Sequence, residues 1–312
     1  MQNAIVKMHN RECDFYTKFT FEGIPIPKVF NVTYWQPNIK QKGCLLMKDL
    51  SVDSKDVDFS ESLNVSQAFQ IAESISQLQV YSIINKEEIE SLELFSPFKD
   101  VEFDEVVKKR IPTFITEYDN ELGDEARQVL ATAASDPQFE HFINTEACSR
   151  FDLPQVLSHA DIWTNNIFFK KDKYGNATSE LKCIMDWQLF IKSNPAHDLA
   201  RFMVLSLDGD VRRKYSKSIN QHYYNILSKE LALKNHTVPF TFENYEKMYD
   251  YCYVHQAVQM LLMVSIFLTH TNFDKTEAQY KRGFTEKLIL RTKHVLEDAN
   301  ICIQTMNGEW KE

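Results

Sequence analysis

Glycine is scarce in this chain and never clustered. The 312 residues include seven glycines, at 23, 43, 123, 175, 209, 283 and 308. No two are near enough to build a loop whose backbone could cradle a phosphate. Cysteine is just as thinly spread. The six thiols, at 13, 44, 148, 183, 252 and 302, form no Cys-x-x-Cys pair, which argues against a disulfide framework and for the reduced, buried thiols of a cytoplasmic protein. Basic charge falls short of acidic charge, 35 Lys and Arg against 44 Asp and Glu, for a net charge of −9 and a pI near 5.6. That balance argues against nucleic acid or an anionic membrane as the main partner. Long apolar runs are missing too. The longest, 257–268, is broken by Gln259; it reads as a core helix rather than a membrane span. The opening Met-Gln-Asn-Ala-Ile-Val-Lys-Met-His lacks the pattern of a signal peptide. What remains is an ordinary globular composition, 44% hydrophobic and 25% charged, in a chain long enough for two lobes or one large domain.

The informative stretch is 156–201. It contains Leu-Ser-His159-Ala160-Asp161-Ile-Trp163-Thr-Asn165-Asn166, then Ile-Met-Asp186-Trp187-Gln, then Pro-Ala-His197-Asp198-Leu-Ala-Arg201. Short apolar runs at 153–157, 167–169 and 181–185 flank the polar clusters and read as buried strands. The segment 170–177, with Tyr-Gly-Asn inside it, reads as a hairpin turn. Asp161, Asn166 and Asp186 are thereby expected at strand ends, close in space. A loop carboxylate such as Asp161 can take the proton of an attacking hydroxyl. An amide oxygen and a second carboxylate, here Asn166 and Asp186, are hard ligands suited to Mg²⁺, which bridges substrate phosphates. Phosphoryl transfer asks for this set of parts. Kinase catalytic loops have the form His-x-Asp-x-x-x-x-Asn followed by a metal-binding Asp, and the spacing and order here agree.

On these motifs the chain resembles the CHK kinase-like (ecdysteroid kinase-like) family, in the choline kinase and aminoglycoside phosphotransferase superfamily. Asp186-Trp187-Gln stands where protein kinases have Asp-Phe-Gly, and Ala160 stands where the family usually has Gly. The upstream His-Asn-Arg-Glu12-Cys-Asp-Phe-Tyr and Leu-Leu-Met47-Lys-Asp49-Leu match as well, so the resemblance covers nearly all the chain. It implies an α+β, protein kinase-like two-lobe fold, with a reduced small lobe over 1–50 and a mostly helical large lobe over 51–312. It implies ATP and Mg²⁺ as cofactors and a small-molecule alcohol as acceptor. In the family the helix glutamate, here Glu12, pairs with a phosphate-binding lysine, and the hinge, here Met47 and Asp49 around Lys48, meets adenine through its backbone. His159 braces the catalytic loop, Asp198 hydrogen-bonds it, and Arg201 is an ion-pair partner.

Each residue also has a plainer reading. Glu12 shares a helical face with Phe15, Tyr16 and Phe19, and a first-turn glutamate is favoured by the helix dipole alone. A lone loop aspartate is usually a turn or cap residue; the company of Asn166 and Asp186 makes that reading weak for Asp161. Trp163 is either packing or a wall for an apolar acceptor. The rest of the chain reads as a helix over 10–19 capped by Asn10, strands over 29–35 and 44–47, a surface loop over 52–60 and a helix over 65–84. Further helices fall at 99–107, 121–134 and 139–147, punctuated by Pro112, and at 210–233, 242–269 and 275–303.

One part is missing. The family's small lobe carries a Gly-rich loop and a strand lysine, and the nine residues before Asn10 leave no room for either. Lys7 lies too near Glu12 in sequence to be that lysine. Two functions therefore compete: a small-molecule phosphotransferase, and a catalytically impaired pseudokinase-like binding or regulatory module. A truncated small lobe would also leave strand edges open to a partner chain. A metal-dependent phosphohydrolase built on His159 and the His197-Asp198 pair is a weaker third.

Overall fold

The structure is a computed structural model and describes residues 2–93, 103–133, 138–139, 142–270, 278–306 and 310. Its first helix, α1 (Gln2–Lys18), starts upstream of the expected cap. Asn10 is therefore an interior residue. Its side-chain oxygen accepts the Trp35 N–H at 2.7 Å and its amide donates to the Trp35 carbonyl at 3.0 Å. That tertiary pairing gives a short polar side chain better partners than a free helix end would. Ala4, Cys13 and Phe15 of α1 are buried, as is Phe19 just past its end. The helix stops at the run to Gly23, which sits at φ +80 where a side chain would be strained, and at Pro25 and Pro27.

A two-stranded ribbon follows, β1 (Val29–Thr33) against β2 (Cys44–Met47), antiparallel, with Thr33 opposite Cys44. β1 is shorter than the expected 29–35 because Asn10 takes the backbone groups of Trp35. The other strands among the described residues are also short: β3 (Ser54–Lys55), β4 (Val156–Ser158), β5 (Ile167–Lys171), β6 (Ala177–Ile184) and β7 (Ile191–Ser193). They pair antiparallel as β3-β5-β6 and β4-β7. The 52–60 segment is thus not a plain surface loop. Ser54 and Lys55 extend a sheet, and Val57 and Phe59 are buried.

The remainder is helical. α2 (Val65–Ile84) begins on a capping box, with Asn64 accepting from Gln67 N–H at 3.0 Å and Gln67 accepting from Asn64 N–H at 2.9 Å; such a cap contributes about 1 kcal/mol. Then come α3 (Lys86–Glu90), α4 (Phe103–Glu117), α5 (Asp119–Ala133), a π-helical turn at Phe142–Glu146 and the single-turn α6 (Ala147–Arg150). Pro112 lies inside α4 rather than ending a helix. Residues 99–102, 134 and 275–277, all expected to be helical, lie outside the described residues. The last four helices are α7 (His197–Ser206), α8 (Gly209–Leu233), α9 (Phe242–His270) and α10 (Ala278–Thr305). By length and composition α9 could cross a bilayer; here it packs among α4, α5, α7 and α10. The same core cluster runs from Phe15 and Trp187 through α2, α7 and α8 to Leu296.

Candidate active site

Three strand ends meet at one place. β4 delivers His159 to Asp161, β5 departs from Asn166, and β6 delivers Asp186. Met185 N–H donates to the Asn166 carbonyl at 2.9 Å, which ties the start of β5 to the exit of β6. The turns on both sides are strained. Ala160 and Asp186 are non-glycine residues at φ +64 and +67, a left-handed conformation that disfavours a Cβ.

Asp198, in the first turn of α7, holds the first of these turns. Its oxygens accept the His159 N–H at 2.7 Å and the Ala160 N–H at 2.9 Å. Burial outweighs those bonds and pushes its carboxyl up to about 6. His159 is hydrogen-bonded through both ring nitrogens. Asp161 N–H donates to its Nδ1 at 3.2 Å, so Nε2 carries the hydrogen and donates to the Met185 carbonyl at 2.9 Å. Burial pushes its imidazole down to about 4, which keeps the ring neutral. The ring also packs on Trp187. Both nitrogens of His159 and both oxygens of Asp198 are thus committed within the loop. His197 lies buried beside His255 and Arg201, and is pushed down to about 3 mainly by burial. The third reading loses its ligand set: among the described residues no group of three or more His, Cys, Asp or Glu is arranged to hold a metal.

Asp161 is partly open. Its Oδ1 accepts from Arg201 Nη2 at 2.5 Å, and its Oδ2 is 3.3 Å from Asn166 Nδ2. Asn166 Nδ2 also donates to the Asp161 carbonyl at 2.9 Å. With its NH₂ turned to Asp161, Asn166 presents its amide oxygen away from that residue. Asp186 is pushed up to about 6, chiefly by burial and then by the charge of Asp161. Glu12 is pushed up to about 7, chiefly by burial and then by Asp186. Glu12 thus feels the charge of Asp186, and Asp186 that of Asp161. Among the described residues no Lys or Arg pairs with Glu12 or Asp186. Lys7 is an exposed residue of α1. An amide oxygen and an uncompensated carboxylate suit Mg²⁺, which takes few protein ligands and keeps waters and phosphates for the rest.

α1 is held beside Asp186 by other means. Phe15 stacks on Trp187, with centroids 4.0 Å apart and planes 10° apart. Arg11 donates from Nε and Nη2 to the Phe190 carbonyl at 3.2 and 3.1 Å, with its guanidinium 3.9 Å above the Phe190 ring.

The remaining expected residues fall elsewhere. Met47 ends β2 opposite Val29. Asp49 is exposed, and its carboxylate closes its own turn on the Ser51 N–H and hydroxyl, bonds that hold it below the usual carboxylate range. Trp163 is packed edge-on against Phe59 and Phe267, with a buried indole N–H that has no partner. Sequence reading passed over Gln256, which accepts from Arg201 Nη1 at 3.0 Å. The available signal was weak: an amide at the start of the apolar stretch of α9, with a second, Gln259, three residues on.

The fold so described is that of a kinase-like protein. The chain is similar to the crystal structure of choline kinase from Cryptosporidium parvum Iowa II, with a TM-score of 0.50, 12% identity, and coverage of 96% of this chain and 79% of that one. Plasmodium vivax ethanolamine kinase resembles it more distantly, with a TM-score of 0.40, 12% identity, and coverage of 93% and 75%. Within that fold the chain belongs to the DUF1679 family, described as "Uncharacterized oxidoreductase dhs-27", whose model matches residues 1–304. A Caenorhabditis elegans protein with that description is 23% identical over 313 residues. The alignment takes in 97% of this chain and 37% of that protein, so the chain spans little more than a third of its relative. The word oxidoreductase thus describes a much longer protein. In this chain the isolated glycines leave no Gly-x-Gly-x-x-Gly fingerprint. The described strands pair antiparallel, unlike the parallel sheet that holds a dinucleotide.

Proposed function

We propose that this chain is a small-molecule phosphotransferase that moves the γ-phosphoryl group of ATP to a hydroxyl of a small alcohol. The observation that carries the reading is the meeting of Asp161, Asn166 and Asp186 at the ends of β4, β5 and β6. Asp161 Oδ2 takes the acceptor's proton as the new oxygen–phosphorus bond forms. The bond from the bridging oxygen to the γ-phosphorus breaks, and ADP leaves. Asn166 and Asp186 would hold Mg²⁺, which when bound supplies positive charge against the phosphates. Residues 1–50 belong to the small lobe, with the backbone of Met47 and Asp49 at the adenine, and 51–312 form the large lobe. The motif resemblance to ecdysteroid kinase-like proteins supports a steroid-like or other small alcohol as acceptor, with Trp163 as a wall of its pocket.

One observation favours a second reading. Among the described residues no cation pairs with Glu12 or Asp186, and removing a single positioned electrostatic contact commonly costs about 10²–10³ in rate. A pseudokinase-like binding module would tolerate that loss. A partner chain could pair along the edge of the β1–β2 ribbon and supply a cation there.

The test is Mg²⁺-dependent ATP binding by calorimetry, on this chain and on Asp186→Ala. The expected result is binding in the former and at least about a tenfold loss in the latter. A folded chain that binds no nucleotide would leave only ancestry behind the kinase-like site.

A further inference from the structure

Arg201 sits on α7, one helical turn beyond Asp198, and its side chain is 9% exposed. Its guanidinium faces two ways. Nη2 donates to Asp161 Oδ1 at 2.5 Å, and Nη1 donates to Gln256 Oε1 at 3.0 Å. Gln256 is 1% exposed, inside α9. So the carboxylate at the centre of the site is anchored through a buried cation to a helix far along the chain.

The anchor is selective. A carboxylate turns easily about its last torsion, so its two oxygens are interchangeable unless something distinguishes them. Arg201 does so by occupying Oδ1. The other contact, Asn166 Nδ2 to Oδ2 at 3.3 Å, is long and leaves Oδ2 with lone pairs to offer. Charge supports the same conclusion. Among the described residues the one ion pair to Glu12, Asp161 or Asp186 is that of Arg201 with Asp161. A guanidinium is permanently charged and planar, and it holds a carboxylate in a defined orientation where a lysine would give a point charge.

We propose that Arg201 is a positioning residue of phosphoryl transfer. It fixes the rotation of Asp161 so that Oδ2 faces the acceptor hydroxyl, and Gln256 fixes Arg201. This rests on the phosphotransferase reading above, and it makes α9 part of the support of the base.

The experiment is steady-state ADP release by the whole chain with Mg²⁺ and ATP, water serving as acceptor. The proteins are wild type, Arg201→Met, Arg201→Lys, Gln256→Leu and Gln256→Glu, with thermal melts alongside. Arg201→Met should lower kcat by about 100-fold while KM for ATP stays within about threefold. Arg201→Lys should recover part of that loss, because an ammonium can reach Oδ1 but cannot span both partners. Gln256→Leu should lower kcat by about tenfold. A purely structural role would lower the melting temperature and leave kcat per folded molecule unchanged. If Arg201→Met does not fold, Gln256→Glu carries the test. It keeps the shape and draws the guanidinium toward a second carboxylate, and should also lower kcat by about tenfold. Folded Arg201→Met, or in its place Gln256→Glu, with wild-type kcat would overturn the positioning role. So would a fall in kcat matched by the loss of ATP affinity. No ADP release by folded wild type would overturn the phosphotransferase reading itself, and the role of Arg201 with it.

Discussion

Glu12 shows at a single residue what the site is short of. Its carboxyl rises from an ordinary 4.5 to about 7, chiefly by burial and then by Asp186. Because the folded value is the higher one, the folded chain holds a proton that the unfolded chain has released. The resulting stability is fully present below about pH 4.5 and is lost as pH rises through about 7. Asp186, raised from 3.8 to about 6, acts in the same direction over a lower window. Glu12→Gln should therefore flatten the pH dependence. At pH 8 it should be more stable than wild type by about 2 kcal/mol, while at pH 4.5 the two should converge. Urea melts at the two pH values read this directly. A glutamine that destabilises at pH 8 would mean that a cation already compensates Glu12. Ala160 offers a second test at this scale. Its φ of +64 is a conformation that an L-residue enters at a cost of about 1–2 kcal/mol. Ala160→Gly removes that cost and adds some unfolded-state entropy, so it should raise stability by about 0.5–1 kcal/mol, measured in the same melts. The sequence showed only that Ala160 stands where the family usually has glycine; the strain became visible with the φ angle.

At the scale of the element, α1 is the piece whose placement the sequence showed only in part. The Glu12, Phe15, Tyr16 and Phe19 face is plain from spacing, and the helix exists. Where it starts was misread, because Asn10 looks like a cap until Trp35 is seen to occupy its side chain. What holds the helix was also hidden. The lysine that pairs with this glutamate in the family was expected to be absent, and nothing in the sequence said what would hold the helix instead: Phe15 lies flat on Trp187 and Arg11 clasps the Phe190 carbonyl. Both aromatic partners are almost fully buried. Phe15→Ala should therefore cost about 3–5 kcal/mol and free α1 from Asp186. Denaturant titration checks the energy. The loosening should appear as faster backbone hydrogen exchange in α1 than in α2, whose own capping box is untouched. Equal protection of the two helices would show that Phe15 is packing alone and that Arg11 suffices as the clasp.

Across the whole molecule, the parts of the site that lie within 156–201 were legible, since three motifs in fixed order carry them and the strands around them are short apolar runs. The parts contributed by distant segments were not. Gln256 reaches Arg201 from α9, and Phe59 and Phe267 close on Trp163 from segments far apart in the chain. Periodicity marks such residues as inward-facing but does not say what they meet. Arg291 on α10 is the extreme case: a helix arginine would ordinarily be taken for a solvated charge, yet its side chain is fully buried. Nε donates to Asp208 Oδ1 at 2.7 Å, Nη1 to the Phe59 carbonyl at 2.6 Å, and Nη2 to the Ser60 carbonyl at 3.3 Å. One guanidinium thus joins α10, the turn between α7 and α8, and the segment that seats Phe59 against Trp163. Arg291→Met would keep the bulk, strand the Phe59, Ser60 and Leu205 carbonyls, and leave Asp208 with only the longer pairing to Lys287. Removing one partner of a buried ion pair typically costs about 3–5 kcal/mol; Asp208 is part exposed and can recruit water, so a loss of about 3 kcal/mol is expected. Because Phe59 loses its tether, the environment of Trp163 should change as well. Replacing Trp35, Trp187 and Trp310 with Phe would isolate the Trp163 fluorescence, and in that background Arg291→Met should shift its emission to the red while the protein is still folded. A destabilised variant whose Trp163 emission is unmoved would separate the two effects and make Arg291 a fastener of the helical layer alone.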